Sequence, residues 1–529
     1  MLYIFRLPSP TFLLVLYANS SSFRLSLKSS RRIRFQEPKV YLAAPMEFYI
    51  SVIAIVLQFV GIVTSQSETK RKIWSTFIFT TGGDGTPYLS GEAATLTSLG
   101  ARQLFGVGAA IRERYVNSNY NDTVSSSLID GISPYKLNNS EISVVATSDQ
   151  LTSASAQAFM QGLYPPLDLL ESGDVSDNDA IMDFPFSGYQ YPNITTIGPR
   201  DPGFVELAGN TNCPLFNDAR LALLLDKDIS ALQNETETFY SGLHSRALGG
   251  LIDLSKLHLL NARLIWEYLN FQYTHNATAR ELISPEELTR ARYLADWVTF
   301  TMNSRPFTSA GNQYTRAIAG KTLAYAIVNA FESNFGSRGS KNKMSLMFSN
   351  VSPMMAFASV SGLSSTHQTN FYGMPNPGAS MIIELFSRES DDFGPYPESK
   401  TDLMIRFLLR NGTNPANPHN SYVAYPMFGL GPSNTEIPYE EFISQMVDLS
   451  MPVSEWCQLC MSQAFFCSPF TVRRDAPTQK HIHPATAALI VVLVTSAAGV
   501  IFYIFWICMW RWKHKGRKEN ELESGSSPT

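Results

Sequence analysis

The chain has 529 residues, 44% of them hydrophobic and 12% aromatic, with only 16% charged against roughly 25% in an ordinary soluble domain. That length accommodates two to four units of roughly 100–200 residues each, and the composition excludes a disordered chain. With 41 basic and 45 acidic residues the net charge is −4, which excludes a generic basic nucleic-acid binder.

Residues 1–45 carry Arg31, Arg32 and Arg34 and a short apolar run, Thr11–Tyr17, and we assign them no fold. Met46 stands where an initiator is expected, so this stretch reads as an N-terminal extension or a mispredicted start. Phe48–Val63 is an apolar core followed by Thr64, Ser65 and Gln66, the pattern of a secretory signal peptide over 46–65. Trp74–Thr80 is rich in aromatic and β-branched residues and runs into the turn Thr81-Gly82-Gly83-Asp84-Gly85-Thr86-Pro87, so a strand and a tight turn are predicted. Apolar spacings of three and four over Leu96–Tyr115 predict a helix, and the run Ile142–Ser148 followed by Ser153–Leu163 predicts a second strand and helix. Strand, turn and helix in this order begin an α/β unit.

Between about 215 and 335 the periodicity is mostly helical, with Ser284-Pro285-Glu286-Glu287 a good helix start. Strand-like patterning returns at Met344–Phe348, Gly378–Phe386 and Leu403–Leu409. Ala485–Trp510 is an uncharged run longer than the roughly 20 residues that cross a bilayer. Arg511, Lys513, Lys515, Arg517 and Lys518 follow it, which by the positive-inside rule places the tail 511–529 in the cytoplasm. Signal plus stop-transfer predicts a single-pass protein of the secretory pathway, with the N-terminal domain 66–480 outside the cytosol and the plasma membrane as its expected destination.

Two further features suit that compartment. Sequons begin at Asn121, Asn138, Asn193, Asn234, Asn276, Asn350 and Asn411, and glycans there would compensate for the missing surface charge. Cys213, Cys457, Cys460 and Cys467 allow two disulfides in three connectivities, and Cys508 lies in the apolar run. A zinc site at Cys457 and Cys460 lacks a second ligand pair, so no metal and no cofactor is expected.

The turn after the first strand, the helix opening Leu96-Thr97 with Gly100, Ser155–Phe159 with Gly162-Leu163-Tyr164-Pro165-Pro166, Asn212-Cys213-Pro214, Arg406–Thr413, Tyr425–Gly429 and Trp456-Cys457 with Cys460 and Cys467 together form a specific pattern. It resembles the histidine acid phosphatase family, in particular its fungal acid phosphatase and phytase-like members. The resemblance implies an α/β domain of histidine-phosphatase type with an inserted helical domain. It also implies a strand-end motif R-H-G-x-R-x-P, whose His is the nucleophile and whose two Arg clamp phosphate, a third Arg from the second strand, and a late H-D pair supplying the acid. Such a set suits the chemistry, because a dianionic phosphate needs bidentate cations and a phosphohistidine needs an imidazole.

In this chain the resemblance places Thr81 and Gly85 at the two Arg positions and Gly82 at the nucleophile, while Gly83, Thr86 and Pro87 persist. The H-D pair falls on Asn350 and Val351, and the third Arg falls near Val145 or Ala146. No catalytic residue carries across. His244, His258, His275, His367 and His419 stand at no comparable strand end, and Asp84 reads as a turn-forming residue. The sequence thus predicts a membrane-anchored glycoprotein whose ectodomain has the phosphatase fold without its phosphohistidine chemistry, binding an unknown extracellular or lumenal ligand and no nucleic acid. The alternative is an active acid phosphatase or phytase-like phosphomonoester hydrolase working through displaced residues.

Overall fold

A computed structural model describes residues 2–6, 12–19, 22–29, 71–117, 127–167, 185–248, 251–253, 256–304, 315–365, 368–388, 395–413, 422–470 and 493–511. The chain divides into two compact units between Thr69 and Lys70. In the first, β1 (Leu2–Arg6), β2 (Phe12–Asn19) and β3 (Ser22–Ser29) form an antiparallel sheet in that order. Residues 1–45 carry no fold signature in the sequence. The strands coincide with short runs rich in Leu, Val, Phe and Tyr, which favour extended backbone.

The second unit is built on β4 (Arg71–Thr81), β5 (Ile142–Thr147), β6 (Ile194–Ile197), β7 (Met344–Ser349), β8 (Ser380–Arg388), β9 (Met404–Arg410), β10 (Val423–Tyr425) and β11 (Glu436–Pro438). Their order is β10-β9-β8-β4-β7-β5-β6, with β11 also paired to β9. β4, β7, β5 and β6 run parallel to one another, and β8 joins β4 antiparallel. From Ile73 onward β4 is buried at every position, which is why it reads as a continuous apolar run instead of an alternation.

Helices cover both faces of this sheet. On one side α1 (Ser98–Tyr115) and α2 (Gln150–Leu163) pack Leu104, Ile111, Phe159 and Leu163 against it. α3 (Phe204–Ala208) and α4 (Pro214–Ala222) follow β6. Next come α5 (Lys227–Leu243), α6 (Ala262–His275), α7 (Ala277–Leu282) and α8 (Pro285–Asn303). Of these, α5, α6 and α8 share their own core of Leu243, Ile265, Leu269, Leu294 and Val298. α8 starts as the sequence signal predicts, with Ser284 and Glu287 closing a capping box and Pro285 at the first position. α9 (Ile318–Gly336) ends the helical stretch but packs on the sheet's other face with α10 (Val351–Val360) and α11 (Tyr439–Leu449), through Leu323, Phe331, Phe357 and Phe442.

One charge cluster sits inside these layers. Glu384 on β8 is fully buried and accepts hydrogen bonds from Tyr115 Oη at 2.6 Å, Arg114 Nη2 at 3.0 Å and Arg406 Nε at 2.8 Å. Burial alone would raise its pKa; Arg406 and Arg114, with the tyrosine, outweigh that and hold it below the usual carboxylate range.

The cysteines pair as Cys213–Cys460 and Cys457–Cys467, one of the three connectivities the sequence leaves open. The first ties the start of α4 to α12 (Val453–Cys460), where Trp456 Nε1 donates to the Gly209 carbonyl at 2.7 Å, and the second ties α12 to the turn at Phe465–Cys467. At the end of the described chain α13 (Leu493–Arg511) is long and apolar enough to cross a membrane. The remainder of the expected span, 485–492, the signal segment 46–65 and all of the tail beyond Arg511 lie outside the described residues.

Candidate functional site

A cleft of about 600 Å³ opens at the carboxyl ends of β4 and β7, bounded by the start of α2 and by α6 and α8. Open α/β sheets place their ligand sites at such strand ends, and the volume falls within the roughly 300–1,000 Å³ of small-molecule pockets. The turn after β4 is shaped by close backbone approach. A Cβ on Gly83 would lie 2.7 Å from the Gly100 carbonyl oxygen and 2.6 Å from Leu104 Cδ2, and one on Gly100 would lie 2.1 Å from the Asp84 oxygen. Glycine at both positions therefore lets the strand end turn directly onto the first turn of α1.

The positions that the resemblance singles out come together here. Thr81, Gly82, Gly85, Asn350 and Val351 all line the cleft. Thr81 is buried, its hydroxyl donating to the Asn376 carbonyl at 3.2 Å. Gly82 is held by its carbonyl, which accepts from Gly378 N at 3.0 Å, and Gly83 N donates to Ser155 Oγ at 3.1 Å. Asn350 caps α10 by accepting from Ser352 N at 2.9 Å, and Val351 is that helix's first residue. Val145 and Ala146 lie within β5, two strands from β4.

Leu151, in the first turn of α2, fills the space beside the two glycines. A Cβ on Gly85 would sit 2.6 Å from Leu151 Cδ1, and one on Gly82 would sit 3.4 Å from Leu151 Cγ. Nothing in the sequence spacing marks this residue, because its role depends on a helix start brought up to a turn some 65 residues earlier in the chain.

Among the described residues, five charged side chains line the cleft: carboxylates Asp84, Asp149 and Glu267, and guanidiniums Arg220 and Arg263. Arg263 Nε pairs with Glu267 at 2.7 Å across one turn of α6, a spacing visible in the sequence as an i, i+4 pair. Asp149 caps α2, accepting from Thr152 N at 2.9 Å and Thr147 Oγ1 at 2.6 Å. Amides are abundant, among them Asn210, Asn270, Asn303 and Asn376.

No histidine lines the cleft among the described residues. His275, the last residue of α6, reaches its edge, with Nε2 2.7 Å from Asp84 Oδ2, an oxygen that also accepts from Thr97 Oγ1 at 2.5 Å. Asp84 is thus a joint between turn and helix as well as a turn residue. His244 Nε2 lies 3.0 Å from the Ile252 carbonyl, and burial pushes the His258 pKa down. His367 and His419 lie outside the described residues, as does Asn121. The other sequon asparagines, Asn138, Asn193, Asn234, Asn276, Asn350 and Asn411, are all exposed. Among the described residues no His, Cys, Asp and Glu cluster could hold a metal ion.

Comparison with known proteins bears on the fold. The family model described as the histidine phosphatase superfamily (branch 2) matches residues 49–410. No curated protein matches the chain. Among solved structures, it is similar to the Klebsiella sp ASR1 phytase, with 13% identity and a TM-score of 0.46 over 73% of this chain and 97% of that one. The apo Hafnia alvei phytase gives 11% identity and 0.46 over 73% and 99%. The Bifidobacterium longum multiple inositol polyphosphate phosphatase complexed with phosphate gives 12% and 0.44 over 74% and 96%. The family match spans most of the chain, including the strand-end turn and both strands that frame the cleft: the chain belongs to the histidine phosphatase superfamily (branch 2).

Proposed function

We propose that this is a single-pass membrane glycoprotein whose histidine-phosphatase-like ectodomain, residues 66–480, works by binding and not by phosphohistidine chemistry. The observation that carries this reading is Leu151 packed beside Gly82 and Gly85, at the positions aligned with the family's nucleophile and one of its arginines. Three carboxylates against two guanidiniums line the cleft, a balance that repels a dianionic phosphate. A cooperating catalytic set that loses its nucleophile retains little for its other members to add.

Membrane attachment rests on α13 and on the basic cluster that follows it. Glycosylation rests on the exposure of Asn138, Asn193, Asn234, Asn276, Asn350 and Asn411, and secretion on the apolar segment before Thr64. Disulfides of this kind belong to oxidising compartments, which favours the secretory pathway and the plasma membrane as its terminus.

The test is turnover of p-nitrophenyl phosphate at acid pH by the purified full-length protein in nanodiscs, with no activity above a protein-free blank expected. Activity that survives purification and disappears on replacing one cleft residue would overturn the proposal. A second reading, an acid phosphatase or phytase-like hydrolase, is favoured by one observation: Arg220 and Arg263 both reach the cleft. Under it, Arg220→Ala or Arg263→Ala would abolish that turnover.

A further inference from the structure

We infer that the disulfide-stapled loop after α12 docks on the outer leaflet of the bilayer, inserting Met461 and Phe465 at the headgroup boundary. This rests on the membrane attachment proposed above and adds a second, peripheral contact to it.

The loop is apolar and turned outward. Phe465 is 93% exposed, the highest value of any large apolar side chain among the described residues, and Met461 is 75% exposed. Leu459 and Phe470, on either side, are exposed as well. Their neighbours point the other way: Cys457, Cys460 and Cys467 are buried, and Phe466 stacks on buried Trp456 with ring centroids 6.3 Å apart. No charged residue occurs from Trp456 to Val472. Exposed apolar residues scattered singly are ordinary, but several on one short uncharged loop mark a contact surface.

The backbone presents these side chains rigidly. Met461 ends α12 in the left-handed region, at φ 49° and ψ 39°, where glycine is the usual and less strained residue. A long apolar side chain stands there despite that strain. The segment from Met461 to Phe466 is fixed at both ends, by Cys460 bridged to Cys213 and by Cys467 bridged to Cys457. Little ordering is then left to be done on binding.

Reach and size decide the partner. Phe470 is separated from the apolar run at Ala485 by 14 residues, about 50 Å at the roughly 3.3–3.6 Å per residue of a fully extended chain. A loop tethered this closely meets lipid at a high effective concentration. Four side chains are also far fewer than the roughly 20–30 residues that a stable protein interface takes from each partner. Bilayer binding scales instead with whatever apolar area is buried, and Phe and Leu are typical of the faces that insert.

The test uses the full-length protein, one copy per nanodisc, in phosphatidylcholine doped with a phospholipid carrying a diazirine at the top of its acyl chain. After irradiation and reduction, labelled peptides are mapped by mass spectrometry. Labelling of 458–470 is expected beside that of α13, which serves as the internal reference. Met461→Ser with Phe465→Ser should lower the label on 458–470 at least about fivefold relative to α13, while Phe465→Trp keeps it. Phe465→Ser alone, at the more exposed position, should give a smaller drop with an unchanged thermal midpoint. Labelled α13 without label on 458–470 overturns the inference and leaves membrane attachment standing; no label on either sinks both. Label on 458–470 that persists in the double serine variant also overturns it. So does cross-linking of this loop to a second copy in place of lipid, measured in vesicles that hold many copies.

Discussion

Leu151 occupies the space that a side chain at Gly85 would need, its Cδ1 lying 2.6 Å from the Cβ position of that glycine. The two residues come from different elements, the turn after β4 and the first turn of α2, and each makes room for the other. A side chain at Gly85 therefore requires Leu151 to move, whereas one at Gly82 would meet Leu151 at 3.4 Å, an ordinary contact distance.

The triple variant Thr81→Arg, Gly82→His, Gly85→Arg should consequently be destabilised and inactive. Overpacking of this kind typically costs about 1–3 kcal/mol, and burying Arg at position 81, where Thr is 2% exposed, adds an uncompensated charge. Adding Leu151→Ala should recover part of the loss. Chemical denaturation of the four combinations checks this. Equal stability with and without Leu151→Ala would show that the leucine does not obstruct these positions.

The pairing of His275 with Asp84 links the last residue of α6 to the turn after β4, with a 2.7 Å contact across 191 residues of sequence. His275→Ala should lower stability by about 0.5–1.5 kcal/mol and speed amide exchange in residues 83–86, since among the described residues Asp84 would keep only Thr97 as a side-chain donor. A double-mutant cycle with Asp84→Asn should give a coupling energy of at least about 0.5 kcal/mol, the level expected of residues in contact.

How much of this was legible in advance divides along the kind of interaction involved. β4, α1, β5 and α2 follow from local apolar periodicity and turn chemistry, and the start of α8 follows from Ser284, Pro285 and Glu287, all within four residues of one another. The family followed from short motifs, each carried by neighbours in the chain. What the sequence could not show are relationships between distant segments: Leu151 over Gly85 and His275 on Asp84. Each joins segments tens to hundreds of residues apart, and a Leu or a His on a helix has no spacing that marks it. Only the Arg263 and Glu267 pair offered a readable signal. α9 illustrates the same limit in the fold, since its helical pattern is plain but the layer it packs on is not.

Glu384 gives a prediction in pH. Its folded pKa is held below the usual carboxylate value by Arg406 and Arg114 against the opposing effect of burial. The unfolded state therefore takes up a proton first as pH falls. The stabilisation it provides is fully present above the unfolded carboxyl pKa of about 4.3 and is lost as pH drops from there through the folded value. Glu384→Gln leaves two half-buried guanidiniums without their anion and should cost about 1–3 kcal/mol at neutral pH. Its stability should then fall less steeply between pH 5 and 3, a range suggested by that carboxylate value. Urea titrations across this range, in parallel with the unmodified protein, measure both.

The two disulfides close loops of very different length, and their removal should differ accordingly. Cys213 and Cys460 are 247 residues apart, whereas Cys457 and Cys467 are separated by only 10. Chain entropy assigns about 5 kcal/mol to the first and about 3 kcal/mol to the second. The longer bridge also fixes the start of α4 beside Trp456, whose indole donates to the Gly209 carbonyl; without it the packing of Val205, Phe216 and Trp456 loosens as well. Cys213→Ser with Cys460→Ser should therefore lower the denaturation midpoint more than Cys457→Ser with Cys467→Ser. Peptide mapping of the unreduced protein should recover Cys213 linked to Cys460 and Cys457 linked to Cys467. If the short-loop variant proves the less stable, strain or residual structure in the unfolded chain outweighs loop entropy here.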